Sequence, residues 1–416
     1  MANDNKKYIP VLRFPEFQND GEWKMCKLLD IAKRKVTKNR QGLKLPVYTN
    51  SAIGGVVNQE EYFDREIVTK DNLVNYSIIE HNDFVYNPRI STAAPVGPIS
   101  RNKLDKGIMS PLYLIFGFHK GDINFYEYYF KSTHWHNYLK AKANYGARFD
   151  RINIATDDFM DMPMPYPSLR EQKKIADCLS SLDKEIDATK RKLELLKEHK
   201  KGLMQRLFPA KGKTTPELRF PEFQNDGEWQ IVSLGEITSV VNRRNKSNRS
   251  LPIYSINNAE GFVPQSQQFA GMDSEARGYD ISAYKIIGKH TFAYNPARIN
   301  VGSIGYSGEL KDILISSLYV CFKAVENVDD DFLMCFFNSY IFNQAVESNV
   351  EGGIRSYLFY ENFSRISIAI PSLYEQKRIA SCITSIEDVI KQTNKQICLL
   401  ETHKNGLLQQ LFPKIK

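Results

Sequence analysis

Leu12-Arg13-Phe14-Pro15-Glu16-Phe17-Gln18-Asn19-Asp20-Gly21-Glu22-Trp23 recurs letter for letter as Leu218 through Trp229, an offset of 206 residues. An identity of that length marks an internal duplication, and self-similarity at a long period sets the architecture before any local propensity does. Further anchors follow on either side. Leu45-Pro46-Val47-Tyr48 returns as Leu251-Pro252-Ile253-Tyr254, and Tyr86-Asn87-Pro88-Arg89-Ile90 returns as Tyr294-Asn295-Pro296-Ala297-Arg298-Ile299. Glu171-Gln172-Lys173-Lys174-Ile175-Ala176 becomes Glu375-Gln376-Lys377-Arg378-Ile379-Ala380 at an offset of 204, and Leu207-Phe208-Pro209 matches Leu411-Phe412-Pro413. Between anchors the copies diverge; residues 49–85 and 255–293 share little beyond composition. A duplication that merely drifted would diverge evenly. Near-identity at the frame with divergence in the middle implies two heads on one scaffold that differ in what they read.

Each copy closes with a heptad pattern. Ile175, Leu179, Leu182, Ile186, Thr189, Leu193, Leu196, Lys200, Leu203 and Leu207 alternate steps of four and three. Ile379, Ile383, Ile386, Ile390, Thr393, Ile397, Leu400, Lys404, Leu407 and Leu411 repeat them, including Thr and Lys at equivalent core positions. A 3.5-residue period held over about four heptads is the condition for a coiled-coil seam, and proline ends each helix. A helix packed only on its own head would carry a wider apolar stripe. The two matched seams are therefore expected to pair, antiparallel if the copies are related by a pseudo-dyad. A rod of this length, on the order of 50 Å at about 1.5 Å per residue, can bridge half-sites about 34 Å apart on one face of a duplex.

The expected fold is α+β: two pseudosymmetric α+β domains joined by a pair of long helices in an antiparallel coiled coil. The expected division is an arm over 1–21, a first head over 22–166, a first helix over 167–210, a linker over 211–227, a second head over 228–370 and a second helix over 371–416. Short alternating runs such as Asn82–Tyr86 and Leu112–Phe116, punctuated by Gly, Pro and Asn, read as strands. Asn124–Ala143 and Asp329–Glu347 read as helices. Length, 416 residues with 42% hydrophobic and 25% charged, suits more than one soluble domain.

The net charge of +8 is unevenly placed: residues 1–210 hold 34 Lys/Arg against 26 Asp/Glu, and the remainder 22 against 22. That excess permits nucleic acid without demanding it. Candidate DNA-binding residues are the basic clusters: Lys33, Arg34, Lys35, Lys38 and Arg40 in the first copy, read as falling where Arg243, Arg244, Lys246 and Arg249 fall in the second. Arg89 and Arg298 follow the shared Tyr-Asn-Pro, and Arg151 aligns with Arg355 at offset 204, with Arg148 close by. Arg can grip guanine O6/N7 bidentately, but one sequence does not separate base readers from phosphate clamps. Tyr86-Asn87-Pro88 and its twin are read first as turn architecture.

Motifs for independent chemistry are missing. Gly212-Lys213-Thr214 has Leu207 where a phosphate loop needs glycine. Tyr86-Asn87-Pro88-Arg89 resembles the Asn-Pro-Pro-Tyr element of amino-methyltransferases except that Arg89 takes the second proline position. His134 and His136 flank Trp135 and read as interface or surface residues. No catalytic or metal residue is nominated. Six scattered cysteines without a C-x-x-C pair fit reduced thiols. A polar start at Met1–Lys7 and the absence of a long apolar run lead to the expectation of a cytoplasmic protein with no membrane partner.

Two variable heads, each closed by Pro-Ser-Leu-x-Glu-Gln-Lys-(Lys/Arg)-Ile-Ala (Pro167 to Ala176, Pro371 to Ala380) and a heptad helix, resemble the specificity subunit of type I restriction–modification systems. The Trp-x-x-x-x-Leu opening of each head (Trp23 with Leu28, Trp229 with Leu234) is also similar to that family, so the resemblance covers nearly the whole chain. It implies that each head is a target recognition domain for one part of a split sequence in double-stranded DNA, with the helices as a ruler. It further implies two methyltransferase subunits that bring S-adenosylmethionine and methylate adenine N6, and two motor-nuclease subunits where cleavage occurs. This chain itself would hold no cofactor. The competing readings are a self-sufficient DNA-modifying enzyme and a coiled-coil protein-binding scaffold.

Overall fold

A computed structural model describes residues 8–63, 70–144, 150–258, 260–269, 271–349 and 357–414. The chain divides into two compact units, one of residues 1–190 with 395–416 and the other of 191–394. The division therefore falls inside the long helices.

The head of the first unit holds two four-stranded sheets and a two-stranded ribbon. One sheet runs Ala32–Lys35, Leu114–Phe118, Phe84–Tyr86, Ile99–Arg101, antiparallel throughout. The other runs Gly55–Asn58, Val47–Ser51, Gly107–Met109, Ser77–Ile79, with Val47–Ser51 parallel to Gly107–Met109. The ribbon pairs Lys24–Lys27 with Pro163–Tyr166 and closes the head on itself. The second head repeats this order strand for strand. Thr238–Val240, Val320–Ala324, Phe292–Tyr294 and Ile304–Tyr306 form one sheet; Gly261–Pro264, Ile253–Asn257, Ile313–Ile315 and Lys285–Ile287 form the other. Gln230–Ser233 with Ser367–Ile370 makes the ribbon. Residues 49–85 and 255–293, so different in sequence, thus carry the same strands. What is shared is the alternation of buried side chains rather than their identity.

Where the sequence suggests one helix in each head, there are two. Ile123–Lys131 and His136–Lys142 replace a single Asn124–Ala143 helix, and Asp330–Phe337 and Tyr340–Asn349 replace Asp329–Glu347. A serine breaks each. Ser132 Oγ donates to the Tyr129 carbonyl at 2.7 Å, and Ser339 Oγ accepts from the Phe342 amide at 3.2 Å, the local bonding by which serine competes with helix continuation. The strands begin two residues later than read: at Phe84, because Asn82 takes a left-handed φ of 69°, and at Leu114, because the Tyr113 amide donates to the Ser110 carbonyl in a turn.

The heptad segments form two unbroken helices, Leu169–Leu207 and Leu373–Gln410. Every predicted core position is buried or half-buried. In the first unit the helices are antiparallel, with Lys190 paired to Glu401 at 2.6 Å and Asp183 to Lys404. In the second, Lys200 pairs with Glu387 at 2.5 Å. The polar core residues are satisfied without opening the seam: Thr189 and Thr393 donate to the Glu185 and Val389 carbonyls one turn back. The first turns of each helix also enter a head core, so packing on the head and pairing with the other helix coexist. Ile175, Ala176 and Leu179 share one cluster with Leu408, Leu411 and Phe412. Ile379, Ala380 and Ile383 share the other with Met204, Leu207 and Phe208. No helix among the described residues is long and apolar enough to cross a membrane.

Candidate nucleic-acid interface

The residues that repeat most closely build the frame, not the reading surface. Glu171, 1% exposed, accepts from Arg13 through both oxygens at 2.7 and 2.8 Å and from Trp23 Nε1 at 3.0 Å. Glu375 takes the same fork from Arg219 at 2.8 Å through each oxygen. Gln172 accepts from the Asp122 amide and donates to the Pro167 carbonyl; Gln376 does the same with Asp329 and Pro371. The Glu-Gln pair therefore locks the repeated arm, the helix start and the head together, and a buried carboxylate demands this full set of donors. The Leu-Phe-Pro ends are anchors as well: Phe412 packs on Phe125 at 5.2 Å, and Phe208 on Phe332 at 5.3 Å.

A matched basic loop follows the first strand of each large sheet. Asn39 and Asn245, both about fully buried, each bracket the residue four positions on, accepting from and donating to Leu43 and Arg249 respectively. The chain turns at Gly42 (φ 63°) and Asn248 (φ 48°), the left-handed conformation glycine and asparagine tolerate. Register fixes equivalence: Lys38 bridges Ser77 as Arg244 bridges Lys285, so Lys38 answers to Arg244 and Arg40 to Lys246. The cluster Lys33-Arg34-Lys35 lies instead on the edge strand Ala32–Lys35, where Arg34 faces Phe116 in the ladder as Val240 faces Phe322. Its counterparts are Ser239, Val240 and Val241, which corrects the sequence alignment of this cluster with Arg243 and Arg244; ladder register, not charge, decides the match.

The remaining candidates divide by their partners. Lys35 is held at 2.6 Å by Asp83, whose carboxyl burial pushes above the usual range. Arg89 and Arg151 meet in an isolated antiparallel bridge and share Asp150 at 3.8 and 3.7 Å. Arg249 lies 3.6 Å from Asp312. The Tyr-Asn-Pro element is a turn. Asn87 Nδ2 donates to the Asn50 carbonyl and its Oδ1 accepts from the Arg89 amide, while Asn295 Oδ1 accepts from Ala297. Ala297, not Arg298, therefore stands in the place of Arg89. Likewise Ile152 and Leu358 donate to the Pro88 and Pro296 carbonyls, which puts Tyr357 in the place of Arg151 rather than Arg355. Arg148 and Arg355 lie outside the described residues. His134 faces the Gln409 carbonyl at 3.1 Å and Trp135 is buried, so both serve packing.

In the first head two candidate cations, Arg34 and Arg151, line a cleft. A space of about 490 Å³ opens between Arg34, Tyr86, Pro88, Leu112, Tyr113 and Arg151. A floor of turn and aromatic residues with guanidinium walls suits a planar, electron-rich edge or a phosphate. Among the described residues no group of three His, Cys, Asp or Glu could hold a metal.

The model of the family described as "Type I restriction modification DNA specificity domain" matches twice, over residues 20–198 and 226–401. The chain belongs to that family. Each copy of the specificity domain takes in one head and most of one long helix. Among relatives from Methanocaldococcus jannaschii, a putative type I restriction enzyme MjaX specificity subunit is 25% identical over 299 residues, 68% of this chain and 65% of the relative. The MjaVIII specificity subunit is 25% identical over 278 residues, and the match spans 62% of its length. The MjaIX specificity subunit is 25% identical over 354 residues, 77% of this chain and 76% of that one. The fold is that of an S subunit from M. genitalium (TM-score 0.56, 15% identity, covering 98% and 100% of the two chains). It is also that of the HsdS subunit from Thermoanaerobacter tengcongensis (TM-score 0.51, 14% identity, 94% and 96%).

Proposed function

We propose that this chain is the DNA-specificity subunit of a type I restriction–modification complex, each head reading one half of a bipartite duplex target. The observation that carries this is the pairing of one topology with two surfaces. Ladder for ladder the heads coincide, yet Lys33, Arg34, Lys35, Arg89 and Arg151 stand where the second head has Ser239, Val240, Val241, Ala297 and Tyr357. Divergence at matched surface positions on a common frame is what two readers of different sequences require, because bases are distinguished by side-chain pattern.

On this reading the chain carries out no chemistry. Two methyltransferase subunits supply S-adenosylmethionine and methylate adenine N6, motor-nuclease subunits add cleavage where present, and the complex works in the cytoplasm. The long helices hold the heads at a set spacing along the duplex. Mapping methylated adenines in cells with and without this chain tests the assignment. A split motif that vanishes with the chain is expected; methyl transfer by the purified chain alone would overturn it. Binding to DNA should weaken steeply with salt, since each phosphate contact releases counterions.

A further inference from the structure

We propose that Arg34 is a specificity-determining side chain of the first head, gripping a guanine edge with its guanidinium fork; this deepens the DNA-specificity reading and rests on it. Three observations converge. Arg34 is exposed on the edge strand and its side chain makes no ion pair or hydrogen bond among the described residues, whereas Lys35, Arg89 and Arg151 are engaged by Asp83 and Asp150. It lines the cleft of about 490 Å³ together with Leu112, Tyr113 and Arg151. Asp157 and Asp161 line the recess on its other side without reaching ion-pair distance of it.

The third observation is that the cleft frame is common to both heads while this position is not. Ser110-Pro111-Leu112-Tyr113 and Ser316-Ser317-Leu318-Tyr319 are the same turn. In each, serine Oγ accepts from the leucine amide at 3.4 Å, and the tyrosine amide donates to the serine carbonyl at 3.1 Å. Each leucine is left in solvent, 58% and 75% exposed. Beside this constant turn the ladder places Arg34 in one head and Val240 in the other. A phosphate clamp would serve both heads alike, since every duplex presents phosphates. A side chain present in one head only marks a sequence-dependent contact, and a free planar fork fits guanine O6 and N7.

The full chain is co-expressed with the methyltransferase subunits of its system, and methylated adenines are mapped for wild type, Arg34→Val and Arg34→Lys. Arg34 is exposed, so both variants should keep the wild-type thermal midpoint. With Arg34→Val the first half of the motif should lose its requirement for guanine at one position, discrimination there falling roughly tenfold to a hundredfold, while the second half is unchanged. Arg34→Lys should relax the same position, because an ammonium lacks the fork. An unchanged motif, or a uniform fall in methylation that Arg34→Lys restores, would overturn the proposal. If wild type itself yields no chain-dependent split motif, the specificity reading falls and this assignment with it.

Discussion

At the residue scale the two repeats permit a comparison no single domain offers, because the same fork is built twice with one difference. Glu171 satisfies both Arg13 and Trp23 Nε1, whereas Trp229 Nε1 is buried with no hydrogen-bond partner among the described residues. Removing one partner of a buried charge pair typically costs about 3–5 kcal/mol. Glu171→Ala should therefore destabilise by about that amount and Glu375→Ala by less, since it orphans one donor group fewer. Trp23→Phe should cost about 1 kcal/mol more than Trp229→Phe, which removes an unsatisfied donor; chemical denaturation of the four variants checks the order. His136 gives a pH dependence. Burial holds its imidazole down at about 4, against an ordinary value of 6.5. The fold thus favours the neutral ring, so its contribution is whole above pH 6.5 and is lost as pH falls toward 4. A His136→Gln variant should show a flatter fall of unfolding midpoint with acidification over that window; an identical slope would remove His136 from the account. Little of this residue-level detail was legible beforehand. Glu171 lies 158 residues from Arg13 and 148 from Trp23, and repetition alone marks the three as important without saying that they meet.

At the element scale legibility was far better. The long helices declare themselves because a 3.5-residue period needs only local side-chain pattern, and even Lys200 and Lys404, which look like defects, recur as cross-helix ion pairs. The serine breaks were missed because hydrophobic periodicity continues across Ser132 and Ser339. The basic strand was misaligned because charge is a weaker register signal than the buried Asn39 and Asn245, ordinary polar letters until their brackets are seen. The Leu-Phe-Pro ends read as stop signals in the sequence, yet their phenylalanines are buried anchors, Phe412 at 0% and Phe208 at 2% exposure. A buried phenylalanine cut to alanine costs about 3–5 kcal/mol. Phe412→Ala should lower stability by that much and raise amide exchange over Lys404–Gln410 first, because the terminal turns lose their anchor. Exchange confined to the heads would show that the anchor does not hold the helix end.

At the scale of the whole molecule, the duplication does something neither head does alone: it lets one polypeptide present two different surfaces on one covalent frame. The charge asymmetry follows from this. The entire excess of +8 lies in residues 1–210, and the matched positions locate part of it at Arg34, Lys35, Arg89 and Arg151. If the helix pair sets the spacing between readers, its length is a variable separable from what each head recognises. Removing one heptad from both helices in register preserves the seam, since seven residues restore the same face. It shortens the pair by about 10 Å at about 1.5 Å per residue, close to three base pairs at roughly 34 Å per turn of about ten. The expected outcome is a methylation motif whose two halves keep their bases while the unspecified gap between them contracts by about three. Altered half-sites with an intact gap would mean that the helices shape the heads and do not space them. An unaltered motif would mean that the spacing is fixed elsewhere, by partner subunits clamping each head on the duplex.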